Sequence, residues 1–341
     1  MKNKSVIVIG AGVAGIEAAS NIADQGYSVT LIEKKDVLGG NLTNYAKLFP
    51  NFADADEVKN NLINNLSTKK VEILKNNDIT KLFFENDKWH AVNSQNQTYS
   101  ADVALLTTGF TVFDAKRKEE LGYGIYDNVI TSLEFESMYK TGKITTKQGN
   151  IPKRIAFLNC VGSRDEKVGN HYCSRVCCIN AVKQATEFKT LYPESEAYCF
   201  YMDIRMAGQF YEELYRKSQE ENNVIYIRGR ISEAAATIDN RIQIKTEDTL
   251  TGLPLKMTVD LLVLMVGMEA SEATSNLSKQ NEINGEYGFA KSLGLHGNDN
   301  KTTKKGLFLA GSCKRPLNIP EAIADARAAA LQITQYLNNL Q

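Results

Sequence analysis

The chain has 341 residues, of which 43% are hydrophobic and 23% charged, and its forty basic side chains balance forty acidic ones. That length suggests two globular domains with ample buried cores, and the charge balance leaves no global field to favour nucleic acid or an anionic membrane. No apolar run approaches the roughly 18 residues that read as a membrane-spanning helix.

The start, M-K-N-K-S-V-I-V-I-G, resembles the charged and apolar parts of a secretory signal but runs straight into a glycine motif without a cleavage region. The expectation is a cytoplasmic protein with no direct membrane span and no nucleic-acid partner. Free thiols and metal thiolates outlast structural disulfides in that compartment. Residues 5–9 form an apolar, strand-like run, followed by Gly10-Ala11-Gly12-Val13-Ala14-Gly15 and a helical pattern through Ala23. A second strand, Y-S-V-T-L-I-E, ends at Glu33, 18 residues beyond Gly15. A lone G-x-G-x-x-G is weak evidence, but strand, glycine loop, helix and acid together predict a dinucleotide site. Gly10 permits the tight turn, Gly12 lets a pyrophosphate reach the backbone, and Gly15 lets helix and strand pack closely. The helix N-terminus offers N–H groups to phosphate, and Glu33 accepts from a ribose hydroxyl.

Gly39-Gly40-Asn41 follows as a second close backbone approach, and the loop K-L-F-P-N-F continues from it. Such a stretch suits a long cofactor wrapped along its length, as FAD is. Residues 54–67 read as an amphipathic helix, and V-E-I-L and K-W-H-A-V-N-S as strands of a small side sheet. A-D-V-A-L-L-T-T-G is a buried strand ending at Thr107-Thr108-Gly109. Near the other end, G-L-F-L-A-G stops at Gly311 and leads through S-C-K-R-P-L-N-I-P-E-A into an Ala-rich helix. Strand ends of these two kinds favour FAD over NAD. The expected FAD contacts are Gly10, Gly12, Val13, Ala14, Gly15, Glu33, Lys34, Gly40, Asn41, Leu42, Ile79, Thr108, Gly109, Gly311, Ser312, Ile319 and Ala322.

Residues 113–150 are too aromatic and apolar for a free linker and are expected to pack near the flavin or a subunit interface. Beyond them R-I-A-F-L-N, A-Y-C-F-Y-M-D, N-V-I-Y-I-R-G and D-L-L-V-L-M-V-G read as strands, with helices at about 178–191 and 207–221. R-I-Q-I-K-T-E and P-L-K-M-T-V-D read as an antiparallel pair. The layout repeats the first half, as an internal duplication would. The expected domains are 1–112 with 284–341 for FAD, a connecting segment 113–150, and a second Rossmann-like domain 151–283.

Four of the six cysteines, Cys160, Cys173, Cys177 and Cys178, fall in the second domain with spacing C-x12-C-x3-C-C. Thiolates gathered this tightly hold a soft metal centre or make a redox pair. They line a strand-to-helix crossover, where an open parallel sheet normally places its ligand. His171 lies in the same loop and could substitute as a ligand, with a solvent-facing role the plainer reading. Cys199, alone in a strand, reads as a small buried hydrophobe, and Cys313 as packing with a thiol role as the alternative.

C-V-G-S-R-D, Y-C-S-R-V-C-C with A-V-K-Q-A behind it, F-Y-M-D-I-R and G-Y-G-I-Y-D-N-V-I-T resemble the flavin-bearing A-subunit family of heterodisulfide reductases. The resemblance is to its short form, as in sulfur-oxidising heterodisulfide-reductase-like complexes or quinone-interacting oxidoreductases, because no ferredoxin-type C-x2-C-x2-C-x3-C-P run is present. Ser312, Arg315, Leu317 and Asn318 depart from the family's C-C-x-G-P-K-D-I-P run. The resemblance implies a two-dinucleotide-binding-domain α/β fold of thioredoxin-reductase type, with parallel Rossmann-type sheets and small antiparallel side sheets. It also implies FAD beside one [4Fe–4S] cluster on Cys160, Cys173, Cys177 and Cys178. A cubane offers separate corner irons to the vicinal pair, which one tetrahedral zinc does only with strain.

The function so implied is that of an electron-transfer flavoprotein in a larger complex. It would form a homodimer and relay electrons between flavin and iron–sulfur partner subunits in sulfur or thiol/disulfide metabolism. The alternatives are a stand-alone thioredoxin-reductase-like enzyme, a quinone-linked flavoprotein component, or a non-catalytic scaffold. The first of these needs a second NAD(P)H-binding glycine loop, where this chain carries Cys160-Val161-Gly162-Ser163-Arg164. Lys183, five positions after Cys178, is expected to aim its ammonium at the flavin ring and tune it.

Overall fold

The computed structural model describes residues 4–340. Ten strands build two parallel sheets: β1 (Ser5–Ile9), β2 (Ser28–Ile32), β3 (Val71–Leu74), β4 (Val103–Leu106) and β5 (Val129–Thr131) come first. They are followed by β6 (Arg154–Val161), β7 (Glu196–Tyr201), β8 (Ile225–Arg228), β9 (Leu261–Val266) and β10 (Leu307–Leu309). The first sheet has the order β10-β4-β1-β2-β3 and the second β5-β9-β6-β7-β8. Every pairing within each is parallel. In both sheets the first long strand therefore stands third from one edge, with the next two strands outward on one side. The central strands are short apolar runs, β9 being buried at every position, as strands covered on both faces require.

The helices are α1 (Val13–Asp24), α2 (Ala55–Ser67), α3 (Ser132–Lys140), α4 (Cys177–Leu191), α5 (Tyr211–Glu220), α6 (Glu272–Gln280) and α7 (Ile319–Asn339). Small side chains let two of them lie close. Ala18, Ala19 and Ile22 of α1 share a core with Ala326, Ala329 and Ile333 of α7. Each sheet has a three-stranded antiparallel companion, Ile79–Glu85 with Lys88–Asn93 and Thr98–Ala101 in one case. The other is Glu233–Ala236 with Ile242–Asp248 and Leu253–Val259.

The chain divides into one unit of residues 1–43, 56–111 and 269–341 and a second of 44–55 and 112–268. This differs from the expected boundaries in three places. Residues 113–150 are not a connector: β5 pairs with β9, and Phe135 of α3 sits in the second unit's core. Residues 269–283 belong to the first unit, because Gln280 and Asn281 hydrogen-bond the backbone of Thr80 and Leu82 on its side sheet. The loop at 44–55 belongs to the second unit, where the Ala46 N–H donates to Glu136 and Phe49 packs edge-on against Tyr211.

Candidate functional sites

In the first unit, β1 ends in the glycine loop. Gly10 has φ +104°, and a side chain there would meet the Thr107 carbonyl oxygen at 2.6 Å. Gly15 passes so close to the strand that a Cβ would lie 1.9 Å from the Gly10 oxygen. Gly12 is different: it caps α1, and the nearest atom to an added Cβ is the Gly40 Cα at 3.9 Å. Protein packing leaves that position open, as a site for a ligand's phosphates does. A Cβ on Gly40, which has φ +57°, would lie 2.9 Å from the Gly12 Cα, and the Gly39 N–H donates to the Ala11 oxygen at 2.8 Å. The two glycine stretches are thus one surface.

Glu33 is 7% exposed and has a second duty. Its carboxylate accepts from the Ala11 N–H at 2.7 Å and the Lys35 N–H at 3.0 Å, so it holds the glycine loop. Asn41 donates to the Phe110 carbonyl at 2.9 Å. At the end of β4, the Thr107 hydroxyl bonds the Ile9 and Gly10 oxygens, and the Thr108 hydroxyl meets that of Thr274 at 2.6 Å. Gly109 has φ +65° with open space around it. Gly311 turns with φ +75° against Ala14, the gap to an added Cβ being 2.7 Å. Val13, Lys34, Ser312, Ile319 and Ala322 lie on or beside the same strand ends and helix starts. Leu42 is 2% exposed, in the short turn Gly40–Asn44. The Ile79 side chain is 5% exposed within an apolar core with Ile9, Ile32 and Leu106.

Sequence reasoning missed the group that pins the Gly311 loop. The Gly311 N–H donates to Asp325 of α7 at 2.6 Å. Lys314 joins Asp325 at 2.7 Å to Asp299 at 2.8 Å, and Arg315 grips Asp299 with both terminal nitrogens. The only sequence signal was an aspartate inside an alanine-rich helix. Cys313 is fully buried and donates toward the Leu106 oxygen at 3.2 Å. Burial pushes its thiol up to about 12, and packing is its role.

In the second unit the equivalent position, after β6, carries the cysteines. Cys160 takes φ +63° where the ladder with β9 shifts register between Leu158 and Val161. The loop closes on itself through Arg164 N–H to Tyr172 O at 2.9 Å and Asn170 to Gly162 O at 2.9 Å. It then feeds α4, whose first residues are Cys177 and Cys178. Cys160, Cys177 and Cys178 are 2–3% exposed, and the Sγ atoms of Cys160 and Cys177 lie 4.0 Å apart. The Cys177 thiol, caught between its neighbours, is pushed well up by hydrogen bonding to Cys160 and Cys178. Cys178 is pulled down to about 7, first by its bond with Cys177 and then, against burial, by the Arg205 backbone N–H. Cys173 is only partly buried, and its sulfur accepts from the Arg175 N–H at 3.2 Å. His171 is exposed. Cys199 is fully buried, its thiol raised by burial.

Among the described residues no group of three or more His, Cys, Asp or Glu stands arranged to hold a metal ion. The donor chemistry nonetheless fits a sulfur-held group, because three thiols converge at one strand end. Asn159 Oδ1, Ser163 Oγ and Asn180 Oδ1, which flank the cysteines in sequence, are buried polar atoms without a partner. Such orphans ask for an explanation such as an unseen ligand or water.

Lys183 does not stand where it was expected. It is fully buried, and its ammonium bonds Glu136 at 2.5 Å, the Lys47 carbonyl at 3.0 Å and Glu187 at 3.3 Å. An ammonium has three N–H groups, and all three find acceptors inside the second unit. The flavin-tuning role is therefore replaced by a buried ion cluster. The i,i+4 spacing of Lys183 and Glu187 was its readable trace.

No helix among the described residues is long and apolar enough to cross a membrane. The pyridine nucleotide-disulphide oxidoreductase family profile matches residues 4–330. The A-subunit of the H(2)/formate:CoB-CoM heterodisulfide,ferredoxin reductase of Methanococcus maripaludis is 32% identical over 96% of this chain and 63% of its own length. The iron-sulfur A-subunit of the CoB–CoM heterodisulfide reductase of Methanocaldococcus jannaschii is 31% identical over 97% of this chain and 64% of its own. The chain thus spans under two thirds of these curated relatives. Thioredoxin reductases of T. acidophilum and Lactococcus lactis share the fold, each with TM-score 0.70 and 18% identity over 99% of this chain and all of theirs. Frame and family together support FAD as the cofactor of the glycine-lined site. By its match over almost the whole length, the chain belongs to the pyridine nucleotide-disulphide oxidoreductase family and is a flavoprotein oxidoreductase.

Proposed function

We propose that this chain is the flavin-bearing component of a heterodisulfide-reductase-like complex, with a [4Fe–4S] cluster on Cys160, Cys173, Cys177 and Cys178 in addition to its FAD. One observation carries the reading. The two sheets share a strand order, yet β1 ends in a phosphate-cradling glycine loop whereas β6 ends in gathered thiols. The second unit is thereby equipped for sulfur ligation at the place where the first receives its cofactor. Bound there, a cluster supplies one-electron transfer, complementing the two-electron chemistry of flavin. The protein's part is to keep Cys160, Cys177 and Cys178 dry, to set Cys177 and Cys178 at the free N–H end of α4, and to hold Arg164 against Asp203 beside them. Iron–sulfur partner subunits then exchange electrons with this unit in thiol/disulfide redox metabolism.

Anaerobic purification tests this directly, with counts of about four irons and four sulfides per flavin expected. Stoichiometric zinc, or neither metal in a fully reduced preparation, would refute the cluster. The 4.0 Å separation of Cys160 and Cys177 favours, as the second reading, a disulfide/dithiol pair that opens to two thiols on taking two electrons and two protons from the reduced flavin. Rapid bleaching of flavin by NADH or NADPH, with no iron present, would establish that reading instead.

A further inference from the structure

Residues 269–283 carry none of the expected cofactor contacts, yet they belong to the first unit, and α6 is tied to it at both ends. At its C-terminal end, Gln280 and Asn281 hold the backbone of Thr80 and Leu82. At its N-terminal end, Ser271 and Thr274 hold the turn in which β4 stops. Ser271 donates to the Thr108 carbonyl at 2.9 Å and Thr274 to the Gly109 carbonyl at 3.2 Å. The Thr274 hydroxyl also stands 2.6 Å from that of Thr108 and 2.9 Å from that of Ser271. Thr274 and Ser271 are buried, whereas Thr108 and Gly109 are half-buried.

A carbonyl oxygen accepts only, so serving both carbonyls uses the protons of Ser271 and Thr274. The 2.6 Å contact is then bridged by the Thr108 proton, since two oxygens that close need a hydrogen between them. Thr108 thus turns its one proton inward and keeps lone pairs for a ligand. Beside it Gly109 leaves open space where a side chain would stand. This strand end offers acceptance, in contrast to the N–H groups at the start of α1, which suit phosphate. Helix capping does not account for the arrangement. The Ser271 oxygen caps α6 by accepting the Thr274 N–H at 3.1 Å; the Thr274 hydroxyl takes no part in that and serves Thr108 and Gly109.

We propose that Ser271 and Thr274 are positioning residues of the flavin site, and that the Thr108 hydroxyl they orient accepts a hydrogen bond from a hydroxyl of the bound FAD. The inference rests on reading the glycine-lined site as the FAD site. FAD carries such hydroxyls on its ribityl chain and on its ribose, and its pyrophosphate carries none. An acceptor at Thr108 therefore selects a sugar part of the cofactor, while the glycine loop takes the phosphates.

The test is a titration of the full chain, stripped of flavin, with FAD, read by flavin fluorescence, with ADP as a second ligand. Thr274→Val, which keeps the helix cap and nearly the same volume, is expected to weaken FAD binding about tenfold, and Thr274→Ser to restore it. Thr108→Val is expected to cost about tenfold as well. Adding Thr274→Val to it should cost little more, because both act through one acceptor. Thr108 is half-buried, so Thr108→Val carries the test even where the buried Thr274→Val impairs folding. Weaker ADP binding by Thr108→Val places the accepted hydroxyl on the ribose, and unchanged ADP binding places it on the ribityl chain; either supports the acceptor. Unchanged FAD affinity in Thr108→Val, Thr274→Ser as weak as Thr274→Val, or two valine losses that add in full would each overturn the proposal. Wild-type protein that takes up no FAD would overturn the reading of the site itself, and the proposal with it.

Discussion

Lys183 Nζ stands 2.5 Å from Glu136 Oε1, with both side chains closed to solvent. Gln184 donates to the same carboxylate at 2.7 Å and the Ala46 N–H to its other oxygen at 3.0 Å. The pair therefore ties α3, α4 and the 44–55 loop together. Breaking one side of a buried pair leaves an uncompensated charge, which costs about 3–5 kcal/mol. Lys183→Met is expected to lower the thermal midpoint by roughly 10 °C, while leaving the flavin potentials of the surviving folded protein at their wild-type values. Combining it with Glu136→Gln should recover part of the loss. Differential scanning calorimetry and a spectroelectrochemical titration check the two halves.

Glu187 makes the same cluster sensitive to pH. Burial pushes its carboxyl up to about 8; the Lys183 ammonium opposes the shift and Glu136 reinforces it. Lys47 and Tyr139 are the other ionisable groups coupled to it. Unfolded, the group titrates near ~4.3. Between those values the folded state binds more protons than the unfolded one, so stability falls as pH rises and levels off above about 8. Glu187→Gln should therefore be the more stable protein at pH 8 and above, its advantage shrinking to nothing near pH 4. Urea midpoints measured across that range decide it, and a gap that widens on acidification would contradict the sign.

Two glycines of one motif should fail differently. A Cβ at Gly12 finds no protein atom nearer than 3.9 Å, so Gly12→Val should fold and lose its flavin by more than tenfold in affinity. A Cβ at Gly15 lies 1.9 Å from a backbone oxygen, so Gly15→Ala should destabilise the first unit itself. Flavin absorbance set beside circular dichroism separates the outcomes, and a yellow Gly12→Val protein would refute the phosphate site.

Asp325 should matter to the flavin although it lies outside the glycine motif. Asp325→Ala frees the Gly311 N–H and breaks the link through Lys314 to Asp299. A partial loss of FAD affinity, about tenfold, is expected from a loosened loop. Equilibrium dialysis of FAD against the variant measures it.

Paired Cys177→Ser and Cys178→Ser substitutions should abolish iron retention, whereas Cys199→Ser, at a buried strand position, should cost stability and leave any iron in place. Iron counts after anaerobic gel filtration give the answer.

The glycine loop was legible because its constraint is local: a positive φ at Gly10 and a close approach at Gly15 each demand the absence of a side chain. The thiol convergence was legible in part. Sequence density marked the four cysteines, but only the bulge at Cys160 and the start of α4 bring three of them together. Lys183 was misjudged because nothing in A-V-K-Q-A tells where a lysine's partners come from. Glu136 lies 47 residues away and reaches it only once β5 joins the sheet.

The division of the chain has a consequence for its synthesis. β10 pairs with β4, yet roughly 200 residues separate them, most of them forming the other unit. At about 5–20 residues per second, a ribosome exposes that open strand edge for about 10–40 s before its partner is made. During this interval the second unit can complete its own sheet, while β4 presents an unpaired, wholly apolar edge. The Gly311 loop and α7 arrive only afterwards, so the glycine-lined cradle acquires its last wall late. Flavin is then captured only after the Gly311 loop and α7 have been made, and a shortage of the vitamin precursor would leave protein whose cysteine unit is already folded.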